Sequence, residues 1–198
     1  MPLLTFIANN WQRALPALAI AGVVAWLIAF HADPSSERAL FAALLVIYMV
    51  HQTEEHLWPG GFRQFTNARL FKSSNPNWPV DIDGVALVNI VYVWVPLVLA
   101  VIWPDELRWI GLGWVALTLV NGIIHVVTTL RFRVYNPGLV TSIVLFLPFT
   151  LYVLYHGVAI GAISGVEVAA LLIAGVLLHI PVAALFALPY MQRRQAHA

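Results

Sequence analysis

The chain has 198 residues, 61% of them hydrophobic and only 10% charged, with a mean hydropathy of +0.85. Soluble domains carry roughly 25% charged residues, so a soluble globular protein is excluded, and a net charge of +1 without a basic run argues against a nucleic-acid partner. Cysteine is absent, which removes disulfides and thiolate sites and leaves His, Asp and Glu to hold any metal.

The apolar stretches are helix-length rather than alternating. The expected fold class is therefore all-α, a polytopic membrane helix bundle of six transmembrane helices forming a single membrane domain over residues 1–198. Met1 to Arg13 reads as a short lead, with Trp11 at headgroup level and no cleavable signal. Spans are expected at residues 14–30, 39–57, 84–103, 109–130, 139–155 and 166–190. Pro34 stops the first, and Ser35 or Ser36 caps the second. Phe62 to Asp83 is the longest polar stretch, expected as an ordered interfacial loop with one amphipathic turn around Phe65 to Phe71. Tyr135-Asn136-Pro137-Gly138 is a turn that aims Tyr135 back at the bundle, with Asn136 capping the fifth span. Pro148 bends the fifth span and Pro181 lies inside the sixth.

Six spans put Arg13, Arg63, Arg69, Lys72, Arg131, Arg133, Arg193 and Arg194 on one side, against Arg38 and Arg108 on the other. That asymmetry predicts both termini in the cytoplasm, and the expected location is a bacterial inner membrane. The lipid bilayer is then the first partner; the oligomeric state is not legible.

The second and fourth spans run toward the cytoplasm, and each carries polar residues near its end. His51 and His125 both lie about 10 Å from the cytoplasmic end of their helix. Asn121, Asp81, Asp83, Asn89, Thr141 and Ser142 add to the same layer, while the outer half is almost wholly apolar. This predicts a cavity opening toward the cytoplasm.

The layer centres on His51-Gln52-Thr53-Glu54-Glu55-His56. Ionisable groups at membrane depth cost a few kcal/mol each and mark functional sites. On a helix, Glu55 lies about 40° from His51 and Glu54 about 60° to the other side, whereas His56 lies about 140° away. His51 and Glu55 thus have the i, i+4 spacing of zincin ligands, with Glu54 as candidate general base. His125 is the candidate third ligand and Asn121 a substrate-polarising neighbour. His179 is a further candidate ligand, though a histidine satisfying a carbonyl freed by Pro181 is the leading explanation of it. The bland alternative for Glu54 and Glu55 is an interfacial pair neutralised by Arg63 or Arg69; it leaves His51 and His125 unexplained.

His51-x-x-Glu54-Glu55, the later His125 and Tyr135-x-Pro137-Gly138 together resemble the HXXEE-domain membrane proteins, which share such a motif, a further histidine, a Y-x-P-G motif and five or six predicted spans. The resemblance covers roughly residues 40–190. It implies a shared site at His51, Glu54, Glu55, His125, Tyr135, Pro137 and Gly138, and implies no reaction.

The expected function is a membrane-embedded metal-dependent enzyme, a hydrolase acting on a lipid-like or amphiphilic small molecule. Its metal ligands would be His51, Glu55, His125 and His179, and its catalytic groups Glu54, Tyr135 and Asn121. Zinc is the expected divalent metal and iron the alternative. A non-haem iron oxidase and a cofactor-free acid–base isomerase are the enzyme alternatives. A small transporter or metal-ion carrier is the alternative outside enzymes, and it predicts polar groups along a whole path.

Overall fold

A computed structural model describes residues 3–196, and these are helical with no strand among them. The order is α1 Leu3–Phe30, α2 Glu37–His56, α3 Phe62–Arg69, α4 Ile82–Ile102, α5 Arg108–Phe132, α6 Leu139–Ala159, α7 Gly165–Leu177 and α8 His179–Ala196. Five helical stretches are long and apolar enough to cross a membrane: α1, α4, α5, α6, and α7 continued by α8. Helix α2, at 20 residues, is long enough but not among them, because its last two turns carry the polar motif.

Helix α1 begins well before the expected span. The lead is helical from Leu3, and Pro16 sits inside the helix. Trp11 is not at a headgroup surface: it is buried, with its ring 5.2 Å from His56 and 5.6 Å from Trp94. An aromatic ring packed edge-on against two others gains more from burial than from an interface. The expected turn near Phe65 is the two-turn helix α3. Below it Asn67 fixes the loop, donating to the carbonyls of Pro76 and Val80 and accepting from Val80 N–H, each at 2.9 Å.

Helix α5 is the central post, with Val115, Ala116 and Thr118 fully buried against Phe41, Leu44, Leu97 and Phe146. Two helices widen into π turns, at Leu87–Trp94 in α4 and Ser142–Phe146 in α6. Each ends just before a proline, Pro96 and Pro148. A proline lacks an N–H and crowds the carbonyl four residues earlier; the wider turn relieves both, and such turns recur at functional sites.

The expected sixth span is two helices broken at Leu178. Pro181 cannot donate to the preceding turn. Tyr92 Oη donates to the Leu178 carbonyl at 2.6 Å, and His179 Nδ1 donates to the Gly175 carbonyl at 2.7 Å.

Helix α1 meets the motif end of α2 through Trp11, and the end of α8 meets the loop that follows α3. Tyr190 stacks near Phe71 and Trp78, and Arg193 lies 4.6 Å over the Trp78 ring. The opposite end is tied by Arg108.

Candidate metal centre

The last two turns of α2 present His51 and Glu55 one turn apart, and α5 presents His125 opposite them. Glu55 Oε1 lies 3.5 Å from His51 Nε2 and 3.3 Å from His125 Nε2. The three ligand atoms lie within 4.8 Å of one another, and all three residues are buried. The His51 ring stacks on Phe146 at 4.0 Å and meets the His125 ring edge-on at 4.9 Å. Both rings therefore have little freedom to turn.

Gly138 makes this packing possible. It sits at φ +98°, and a Cβ there would lie 2.6 Å from His125 Cε1 and 2.8 Å from His51 Cε1. Only glycine combines that backbone conformation with that approach.

Glu54 faces a different way from Glu55. Its Oε1 accepts from Tyr135 Oη and, at 2.9 Å, from Val140 N–H; its Oε2 accepts from Thr141 N–H at 2.7 Å and from the Thr141 hydroxyl. Four donors fill the roughly four lone-pair positions of a carboxylate. Glu54 is thus the N-terminal cap of α6, delivered from another helix; Gly138 has no side chain to cap with. This redirects two expectations. Glu54 has no lone pair left for a general base, and Asn136 does not cap α6: its Nδ2 donates to Thr128 Oγ1 at 2.7 Å. Tyr135 is aimed back as expected, but onto Glu54 rather than the cavity. Burial first, then the Glu54 carboxylate, push its phenol well above the ordinary value.

Thr141 joins the two acidic neighbours' territories. Its one hydroxyl hydrogen goes to Glu54, so its oxygen must accept from His51 Nδ1, 2.8 Å away. His51 then carries its proton on Nδ1, and Nε2 is a bare lone pair. That atom is buried and has no hydrogen-bond partner. A lone pair facing a carboxylate oxygen in a dry interior is unfavourable unless a cation lies between them. A ligating histidine whose far nitrogen is held by an outer partner is the usual arrangement at protein metal sites. The donor set and the orphaned atom therefore fit a divalent metal.

The remaining candidates fall around this group. His56, expected to face away, comes within 3.5 Å of Glu55 Oε2 because the Glu55 side chain is long enough to reach both faces of α2. Asn121 lines the adjoining cavity, its buried Oδ1 without a hydrogen-bond partner. His179 lines the same cavity but is not brought into the convergent group, and its Nδ1 is engaged with Gly175. Asp81 caps α4 through Gly84 N–H at 2.7 Å. A layer behind the site, Trp94 to Gln52 to Asn89, is hydrogen-bonded throughout, at 2.8 and 2.7 Å.

Two cavities meet at Glu55. One, about 340 Å³, runs between α4, α5 and α8 and is mainly aliphatic and aromatic, with His51, Asn121 and His179 on its wall. The other, about 160 Å³, is polar and opens beside α3.

Residues 42–153, more than half of the chain, match the family described as proteins of unknown function with an HXXEE motif. The chain belongs to this family. The HXXEE match spans every residue of the convergent group and the Tyr135 to Gly138 turn. No curated protein and no solved structure matches the chain. Thr141, expected only as one polar group of the layer, and Phe146, which no sequence signal marks, are also inside the matched region. Thr141 stands three residues beyond Gly138, a helix-start position that could have marked it.

Proposed function

We propose that this HXXEE protein is a membrane-embedded metal-dependent hydrolase acting on an amphiphilic substrate, with His51, Glu55 and His125 as ligands and zinc as the ion. The observation that carries this reading is the bare, buried His51 Nε2 facing Glu55 Oε1 at 3.5 Å, with His125 Nε2 3.3 Å from the same oxygen. A zinc ion in a His-Glu-His set supplies Lewis acidity and an acidified water. The chain's own residues do the rest. Thr141 and Glu54 keep the His51 proton on Nδ1. Asn121 offers Oδ1 to orient a substrate hydroxyl or amide. The apolar cavity takes the substrate's tail, and its volume suits a small ligand. His179 stands on the substrate side rather than among the ligands.

A second reading keeps the site and changes the ion. Two histidines and one carboxylate are also the ligand set of mononuclear non-haem iron oxygenases. A di-iron oxidase is disfavoured, since it needs about four carboxylates and Glu55 alone joins the group. Transport is disfavoured too: Phe41, Leu44, Leu97 and Val115 fill the interior beyond the site.

Helix α2 is in this reading a sixth span, with both termini cytoplasmic; a reporter fused after Ala198 should be cytoplasmic, and an external signal would overturn that orientation. Metal content of the purified protein against His51→Ala tests the central claim. One zinc per chain, lost in the variant, is expected. Stoichiometric iron selects the oxidase, and neither metal sinks the metal reading in favour of acid–base isomerisation.

A further inference from the structure

We infer that the amphiphile bears an anionic headgroup, which lies against Arg63 in the polar cavity while its apolar tail occupies the larger one. The inference rests on the reading of this site as one for an amphiphile.

The two cavities share Glu55, Phe62 and Val85 as walls, so they adjoin at the candidate ligand Glu55. Their chemistry is opposite. The larger is lined by residues such as Val88, Val93, Leu117 and Phe186; the smaller by Gln12, His56, Arg63 and Gln64. That is the division an amphiphile has.

The sign of the head follows from which charges are already committed. An arginine beside two glutamates is ordinarily their counter-ion. Here Glu54 is saturated by Tyr135, Val140 and Thr141, and Glu55 is surrounded by His51, His56 and His125. Among the described residues Arg63 has no ion-pair partner; the one guanidinium–carboxylate pair is Arg108 with Glu37. Arg63 is thus a cation on a polar cavity whose one carboxylate, Glu55, is engaged by histidines. A guanidinium in that position takes a phosphate or carboxylate in paired, charge-assisted hydrogen bonds. A cationic head would meet Arg63 unfavourably, and a neutral head would leave it without a counter-charge.

Calorimetric binding to the purified full-length chain in nonionic maltoside micelles, against a micelle blank, tests this. Dodecyl phosphate should bind about tenfold or more tightly than dodecanol or dodecyltrimethylammonium. Arg63→Gln should remove that preference and Arg63→Lys should retain most of it. Ala183→Phe, which fills the apolar cavity, should weaken dodecyl phosphate without restoring dodecanol. Equal binding of the three probes, or an unchanged preference in Arg63→Gln, would overturn the inference. Inorganic phosphate binding as tightly as dodecyl phosphate would also overturn it, since the tail would then contribute nothing. Arg63-dependent binding by protein that carries no metal leaves the headgroup assignment standing while the metal reading fails. Bound metal without headgroup preference gives the reverse.

Discussion

At the first turn of α2, Glu37 accepts from Arg108 Nε at 2.7 and 2.9 Å, and the same guanidinium donates to the Ala162 carbonyl at 2.7 Å. At the last two turns, Glu55 faces three imidazoles at 3.3 to 3.5 Å, and His51 Nε2 has no hydrogen-bond partner. One helix thus carries ionisable groups at both ends, in two conditions. The outer pair is complete and partly wet, so it ties helices together and asks for nothing further. The inner group is dry and one cation short. Charge alone does not mark a site in this molecule; an unfilled valence does.

The sharpest way to break the comparison is Glu55→Gln. It removes the carboxylate from the group while keeping its volume. Metal binding should fall by more than the ~10–100-fold typical of outer-partner changes, read by metal titration, with the helical circular dichroism signal unchanged. If Glu55→Gln retains wild-type affinity, the two ends of α2 do not differ as described. Gly138→Ala comes next. The left-handed backbone and the two histidine rings both oppose a Cβ, so thermal unfolding should report a loss of about 1–3 kcal/mol together with reduced metal occupancy.

Thr141→Val should then lower metal affinity by ~10–100-fold, because His51 loses the acceptor that holds its proton on Nδ1. Thr141→Ser should recover most of it. A fall in stability with unchanged affinity would instead make Thr141 only a helix-start residue. The smallest effect belongs to the opposite end. Arg108→Ala should lower stability by about 1 kcal/mol, near the upper end for surface pairs because this one is only partly solvated, and leave metal titration untouched.

Much of this was legible in one sequence. The i, i+4 spacing gave His51 and Glu55, and equal depth in two helices that run in the same direction gave His125. Hydrophobic length gave the helices, and the missing span reflects the same polar motif: α2 is the helix that carries the site, so it is the least apolar. The fates of Glu54 and Glu55 were not legible. They are chemically identical neighbours, and only the arrival of the Gly138–Thr141 turn separates a saturated carboxylate from a candidate ligand. His56 stays outside the convergent group, as its angle predicts, but a backbone wheel does not show that the Glu55 side chain reaches it. The break at Leu178 was half-visible in Pro181, but its stabilising hydroxyl comes from Tyr92 in another helix. Trp11 was placed by habit of composition; its burial depends on rings supplied by α2 and α4.

The cap that Glu54 gives α6 also has a bearing on how the protein is made. Glu54 precedes Val140 and Thr141 by 86 and 87 residues, and the chain emerges from its N-terminus first. When α2 is already inserted, its carboxylate has no donors; when α6 emerges, its first amides have no acceptor of their own. Each end corrects the other, and the His51 tautomer is fixed only after both have met. The geometry of the candidate metal centre is therefore a late product of assembly, complete only once α6 has met α2. Amide exchange at Val140 and Thr141 reads this directly, with lasting protection in the wild type and early loss of it in Glu54→Gln.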